Sequence, residues 1–303
     1  MPALTITEFS DPACPFGWSS SPSRQRLRWL FGEQIEWRLR MVGLSDDPGA
    51  AAKKGFTPAM AAAGARRLSE LHGMPMDTSE RPRMAATLPA CRAVVAVRLN
   101  EPAGRDWEMF RRLQMRGFAG ALLDDPDTIA AAAVDLGIDP EELAQWSAAP
   151  ETEQALQEDL DATRHPTAAA LALRARLAKW EGGWRYTCPS YEIVRAGDGA
   201  QMSVPGFQPL RAYEVAIANL APELERREDP ESVEEVLQWA GEPLATAEVA
   251  EVMGGMELNE ARELLGRVAV QQHVGFDGFW TLGRPGDAPG ELARAGVPAL
   301  ASR

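Results

Sequence analysis

Three cysteines, Cys14, Cys91 and Cys188, and three histidines in 303 residues are too few for a disulfide-built scaffold. His72, His165 and His273 are scattered and sit at no ligand spacing with the cysteines, so no metal is expected. Apolar runs never approach the roughly 18–20 residues that a membrane helix needs, and the opening MPALTITEFS lacks the basic start and long apolar core of an export signal. A cytoplasmic location, away from membranes, is the expectation. Cationic charge is also scarce: 31 Lys and Arg against 44 Asp and Glu leave a net charge of −13, which disfavours nucleic acid as a partner. The glycine pairs Gly182-Gly183 and Gly197-Asp198-Gly199 lack the G-x-G-x-x-G or Walker context, and no nucleotide cofactor is implied. What is present, 45% apolar and 25% charged residues, is the composition of a globular chain with one large domain or two.

Leu4, Ile6 and the residues between them alternate at period 2, predicting a strand that ends at Ser10-Asp11-Pro12. Leu27, Leu30 and Phe31 then recur at helical spacing over Ser23–Phe31, with Arg24, Arg26 and Arg28 expected on the wet face. Ile35, Trp37, Leu39 and Met41 alternate as a second, half-buried strand. Residues 3–44 therefore read as a βαβ unit. From 46 to 185 the pattern turns Ala-rich and helical, with helices expected at Pro58–His72, Pro89–Leu99, Arg105–Gly117, Asp127–Asp135, Pro140–Trp146, Glu151–Thr163 and Thr167–Trp180. Asp139 before Pro140 and Asp127 are the expected start signals.

At Tyr191-Glu192-Ile193-Val194 the strand pattern returns, and with Gln201–Val204 it predicts a hairpin, followed by a helix opened by Pro209. Residues 229–282 read as a separate unit of three helices, Ser232–Ala240, Thr246–Met253 and Asn259–Val270, and a hairpin over Val274–Leu282 around Asp277-Gly278. That order describes a small winged-helix-like domain. Its eleven acidic residues against two basic ones argue against reading DNA and for a packing or docking module, through a homodimer or a partner protein. The tail, 283–303, is Gly/Pro/Ala-rich and expected to be mobile.

The chemistry concentrates at Cys14. A cysteine between a strand end and a helix start has backbone N–H groups and the positive end of the helix dipole aimed at it, which favours the thiolate. Pro15 suits the first helical position, and Phe16 and Trp18 are expected to form an apolar rim. Gly17 stands where a C-x-x-C motif has its second cysteine, so this helix cannot form an internal disulfide.

The segment Asp11-Pro12-Ala13-Cys14-Pro15-Phe16-Gly17-Trp18 after the first strand resembles the DsbA-like branch of the thioredoxin superfamily, in particular the group that holds FrnE-type proteins and the 2-hydroxychromene-2-carboxylate isomerases. The likeness spans about residues 3–222 and implies a thioredoxin-like α/β fold (βαβ…ββα). Residues 1–45 and 186–228 would form it, with 46–185 as a large helical insertion. It also implies a cis-proline before the third strand, assigned to Cys188-Pro189; Val204-Pro205 competes but would leave no paired strand after it. Leu88-Pro89-Ala90-Cys91 is similar to a helix start near the active site in the same family.

On that basis Cys14, Cys188 and Pro189 are the catalytic candidates, and Pro15, Phe16, Gly17, Trp18, Cys91 and Trp184 the substrate-binding ones. Cys91 is also readable as a plain buried helix residue, and Cys188 as a small side chain packed beneath the thiolate. The implied activity is thiol–disulfide exchange on a protein or small-molecule thiol or disulfide through one helix-start cysteine. Cys188 could serve as a cross-sheet partner, and a low-molecular-weight thiol would be the only co-substrate. Two rivals stand beside it: a thiol-dependent enzyme similar to the kappa-class glutathione transferases and the isomerases, which carry Ser where Cys14 stands, and a non-catalytic adaptor.

Overall fold

A computed structural model of the chain describes residues 2–49, 53 and 55–283. Alternating burial makes β1 (Leu4–Ser10) and β2 (Ile35–Met41), which pair in parallel from Leu4 with Ile35 to Ser10 with Met41. Parallel pairing needs a crossover, here two helices, α1 (Pro15–Ser19) and α2 (Ser21–Phe31), separated at Ser20. The helical part starts eight residues before the expected Ser23, because Pro15 and Pro22 each preset the backbone of a first turn.

The helical block comprises α3 (Pro58–His72), α4 (Leu88–Asn100), α5 (Arg105–Phe118), α6 (Pro126–Asp135), α7 (Pro140–Ala148), α8 (Pro150–Arg164) and the short α9 (Ala168–Ala172). Thr57, Asp125, Asp139 and Thr167 cap four of these by accepting a backbone N–H two or three residues on. The cap of α6 is thus Asp125, with Pro126 in the first turn, and not the expected Asp127. Ala90, Cys91, Val94, Val95, Ala96 and Val97 are all fully buried, so α4 is apolar on most sides and lies at the centre of the block.

Thr167–Trp180, expected as one helix, is α-helical only over Ala168–Ala172, with a 3-10 turn at Arg174–Arg176. Its end becomes β3 (Ala178–Trp180), paired antiparallel with β4 (Gly183–Arg185) across Glu181-Gly182. Gly183 at φ 126° makes this reversal, and the aromatics Trp180 and Trp184 suit strands better than a helix end. β5 (Ser190–Arg195) and β6 (Gln201–Val204) complete the main sheet in the order β2-β1-β5-β6, with α10 (Leu210–Leu220) behind it. The fold is a DsbA-like thioredoxin fold of mixed α/β content, βαβ then ββα, interrupted by helices.

Beyond residue 229 come α11 (Val233–Ala240), β7 (Leu244–Ala245), α12 (Thr246–Val252), α13 (Leu258–Val268), β8 (Ala269–Val274) and β9 (Asp277–Leu282), with sheet order β7-β9-β8. The hairpin turns at Gly275-Phe276, not at the expected Asp277-Gly278: Val274 pairs with Asp277, and Gly275 supplies the positive φ that a two-residue turn needs. Val236, Leu237, Val249, Val252, Leu265 and Trp280 share one apolar cluster with Leu4, Ile6, Leu27 and Ile193. This C-terminal part therefore packs into the same core as the main sheet. The tail expected to be mobile lies, apart from Gly283, outside the described residues.

That packing overturns the expectation for the arginines of α2. Arg24 and Arg26 are 4% and 7% exposed. Arg24 pairs with the fully buried Glu8 at 3.2 Å, while Arg26 reaches Asp229 and the Val252 carbonyl, at 2.5 and 2.7 Å. Only Arg28 stays exposed. The periodicity of one helix cannot distinguish a solvated face from one that a later segment covers.

Candidate active site

Cys14 caps α1. Its Sγ accepts the Gly17 N–H at 3.5 Å, and its S–H donates to the Cys188 carbonyl, also at 3.5 Å. The Cys188-Pro189 peptide bond is cis. All three cysteines are free thiols. Cys14 and Cys188, 174 residues apart, lie in one apolar cluster with Phe9, Val42, Ala170, Leu177 and Tyr186, and are 5% and 4% exposed. Burial pushes the Cys188 thiol well above its usual range, and the contact with Cys14 adds to this.

The residue that organises this loop is Asp11, which in the sequence ends the first strand and opens the segment that carries the family resemblance. Asp11 is fully buried. Its Oδ1 accepts the Ala13 N–H at 2.9 Å, an Asx turn leading into Cys14, while its Oδ2 accepts from Leu44 N–H (2.9 Å), Thr87 Oγ1 (2.8 Å) and Cys91 Sγ (3.5 Å). One carboxylate thereby ties the Cys14 loop to the segment after β2 and to the start of α4. The Asp-Pro-x-Cys spacing quoted above is its signal in the sequence, where no anchoring role is drawn from it.

Two expected substrate-binding residues are placed elsewhere. Cys91 is 0% exposed with its thiol pKa pushed well up, chiefly by burial and then by Asp11, so it is a core residue. Trp18, expected on the rim, is also 0% exposed. It stacks on Phe118 at 5.3 Å, meets Phe279 edge-on and donates to the Pro75 carbonyl at 2.9 Å. A helix turns about 100° per residue, so Phe16 and Trp18 point to different sides, and the side of Trp18 is covered by α5 and β9.

Phe16, 45% exposed, does stand at the surface beside Cys14. It meets Phe207 at 6.0 Å, and Phe207 in turn meets His72 at 4.8 Å. Phe207 carries no signal in the sequence, and His72 is weighed there only as a metal ligand and set aside, because the two come from distant segments. Gly206, at φ 74° and donating its N–H to Ser190 Oγ, fixes the Phe207 loop against the cis-proline segment. Trp184 is half-buried against the cysteine cluster, with Lys179 Nζ 5.3 Å from its ring centre. Pro15 and Pro189 flank the two cysteines, as their positions in sequence require.

At Gly17 an added Cβ would lie 2.8 Å from Ser10 Oγ and 4.0 Å from Cys14 Sγ. The buried Ser10 hydroxyl, which has no hydrogen-bond partner among the described residues, blocks the place of a second cysteine. Gly17→Cys alone is expected to cost about 1–3 kcal/mol of stability from overpacking. Gly17→Cys with Ser10→Ala relieves the clash and is expected to oxidise to a bridge between Cys14 and the introduced thiol, read as a mass loss of about 2 Da by the usual dithiol stoichiometry.

Glu192 on β5 lies beside this cluster. Its Oε1 accepts from Tyr186, Thr167 (3.1 Å) and Ser203 (2.6 Å), while Oε2 has no partner among the described residues. Burial raises its carboxyl pKa above the ordinary value despite those bonds. A raised carboxyl pKa means the folded state holds the proton more tightly. The stabilisation is present below the unfolded pKa and lost as pH rises through the folded one. Glu192→Gln, which keeps the acceptor and removes the charge, is therefore expected to match the parent in Tm near pH 4 and exceed it at pH 8.

Among the described residues no group of His, Cys, Asp and Glu could hold a metal ion, and no helix is long and apolar enough to cross a membrane. Residues 5–168 match the DSBA-like thioredoxin domain family. No curated protein matches the chain in sequence. Similar solved structures include a putative protein disulfide isomerase from Nitrosomonas europaea, at TM-score 0.52 and 18% identity, covering 72% of this chain and 96% of that one. The cytosolic disulfide reductase DsbM from Pseudomonas aeruginosa also gives TM-score 0.52, at 17% identity and 72% and 100% coverage. A probable DsbA oxidoreductase from Streptomyces coelicolor gives 0.52, 20%, 74% and 93%. At these identities the likeness is one of fold. The family match itself spans more than half of the chain, and this protein belongs to the DSBA-like thioredoxin domain family, whose chemistry is thiol–disulfide exchange.

Proposed function

We propose that this protein is a thiol–disulfide oxidoreductase whose nucleophile is Cys14 and whose second thiol is Cys188. The observation that carries the reading is the contact of Cys14 Sγ with the Cys188 carbonyl, 3.5 Å apart, beside Pro189. The Cys14 sulfur, its proton lost to water, attacks one sulfur of a substrate disulfide; a Cys14–substrate disulfide forms and the other substrate sulfur leaves as a thiolate. Cys188, deprotonated in turn, attacks Cys14 Sγ, releasing the second substrate thiol and forming a Cys14–Cys188 bridge. Two equivalents of a low-molecular-weight thiol restore the reduced protein and leave as their disulfide. The raised Cys188 pKa makes its step speed up with pH, and free thiol can instead release the intermediate by attacking the substrate sulfur.

Phe16, Phe207 and Trp184 supply an apolar wall for the substrate, and no further cofactor enters the cycle. We take the protein to work in the cytoplasm, where glutathione-type thiols keep cysteines reduced. The C-terminal part is proposed to be a winged-helix-like module that holds α1 and α2 in place and offers a docking face.

A non-catalytic adaptor is favoured by two observations, the 5% exposure of Cys14 and the glycine at position 17. The test is oxidation of the reduced protein with glutathione disulfide and mapping of the products by mass. A Cys14–Cys188 bridge supports the paired mechanism. Glutathione on Cys14 alone supports the monothiol branch, and a Cys14 that stays reduced sinks both in favour of the adaptor.

A further inference from the structure

A cleft of about 340 Å³ opens between α2, α5 and the end of α11, within the size range of small-ligand sites. Arg24, Arg28, Arg111, Arg112, Trp107 and Glu242 line it. Four guanidinium groups in so small a space are unusual in a chain of net charge −13. We propose that this cleft, remote in its chemistry from Cys14, binds a small anion bearing a carboxylate or phosphate group.

The argument rests on which polar groups are already satisfied. Two guanidinium groups are held from behind, Arg24 by Glu8 and Arg111 by Glu248, with both carboxylates fully buried. Glu242 stands 3.9 Å from both Arg28 and Arg111 and serves both at that longer range. Glu108, which also borders the cleft, is turned to Arg105 at 2.5 Å. Arg112 meets no carboxylate among the described residues, its hydrogen-bond contact being Met115 Sδ at 3.9 Å. Four cations thus face three available carboxylates.

Two buried donors of the lining residues, Arg111 Nε and Trp107 Nε1, make no hydrogen bond among the described residues, and the carboxylate oxygen that Arg111 Nε meets, Glu242 Oε2, stands 3.9 Å away. Arg111 is 3% exposed, and an unpaired N–H at such a buried residue is a donor without its acceptor. A group that offers only acceptors and carries negative charge is what this inventory lacks. Loss of hydration lowers the Arg28 pKa; Glu242 pulls it back up, and the like charges of Arg24 and Arg111 push it down. Trp107, with the Arg24 guanidinium 5.2 Å from its ring centre, adds a flat wall for the rest of the ligand.

The test is ¹⁵N-indole NMR of the full chain, titrated with sodium phosphate or sodium succinate against sodium chloride at matched ionic strength. The Trp107 N–H signal is assigned by its loss in Trp107→Phe. A saturable shift of that signal beyond the chloride control is expected with at least one anion, and the anion that produces it names the ligand class. Arg28→Gln, at an exposed side chain, and Arg112→Gln, at a half-buried one, are each expected to weaken binding about tenfold while the far-UV circular dichroism of the parent is retained. Shifts no larger than those with chloride for both anions, or unchanged affinity in both variants, overturn the proposal. Neither variant touches the thiol site, so the result is independent of the function proposed for Cys14.

Discussion

Cys14→Ser is expected to reduce the rate of disulfide exchange by about 10³-fold or more, with the far-UV circular dichroism and Tm of the parent retained. The substitution changes little in packing. A serine hydroxyl can accept the Gly17 N–H and donate to the Cys188 carbonyl as the thiol does. What it removes is the sulfur nucleophile, since a serine hydroxyl is not ionised near neutral pH and cannot form a mixed disulfide. Cys188→Ala separates the two branches of the mechanism. If Cys188 resolves the intermediate, this variant accumulates protein carrying substrate on Cys14, visible by mass under non-reducing conditions. If free thiol resolves it, turnover is unchanged. Cys91→Ala, at a thiol held in the core by Asp11, is expected to leave the exchange rate within about twofold and to act only on stability.

Breaking the Arg111–Glu248 pair is expected to destabilise the protein by about 3–5 kcal/mol. Glu248 is 0% exposed and Arg111 3%, and Glu248 accepts from Arg111 at 2.5 and 2.6 Å, from Ser21 Oγ, and from the Ala245 N–H at 2.8 Å. Arg111→Met strands the carboxylate and Glu248→Gln strands the guanidinium. Either leaves a buried charge unpaired, and urea unfolding midpoints read the loss. Arg111→Met with Glu248→Met removes both charges and is expected to recover most of it, because the single-variant cost is mainly the penalty of the orphaned group.

Acid should weaken the same joint. Despite its burial, the ionic and hydrogen-bond partners of Glu248, Arg111 first, hold its carboxyl below the ordinary value. Its stabilisation is therefore complete above the unfolded pKa and is lost as pH falls through the folded one. The joint bears on the active-site helix as well, since the Arg111 guanidinium lies 5.0 Å from the centre of the Trp18 ring.

Much of the local structure was legible from the residues in order. The period-2 stripes of Leu4–Phe9 and Ile35–Met41, the capping Asp139 before Pro140 and the turn between Tyr191 and Val204 each encode an element through contacts within a few residues. The α4 and C-terminal helices were legible for the same reason. Where two local signals competed the reading failed, as at Thr167–Trp180. Helical spacing there gave way to a Gly182-Gly183 reversal flanked by aromatics.

By itself, then, the sequence determined that a cysteine followed by proline stands where a strand passes into a helix, with glycine in place of a second thiol. Its acidic balance and lack of long apolar runs also follow from composition alone. The tertiary structure decided what surrounds that sulfur. It brings Cys188 from 174 residues away, turns Asp11 into the anchor of the loop, moves Trp18 and Cys91 into the core and sets Phe207 and His72 at the rim. It also covers Arg24 and Arg26 with a later segment and gathers four arginines around one cleft. The reason is physical: hydrogen-bond spacing and hydrophobic period act over one or two turns and can be read in order. Which faces meet is set by the burial of apolar surface between segments far apart in the chain, and neither face carries a mark of its partner.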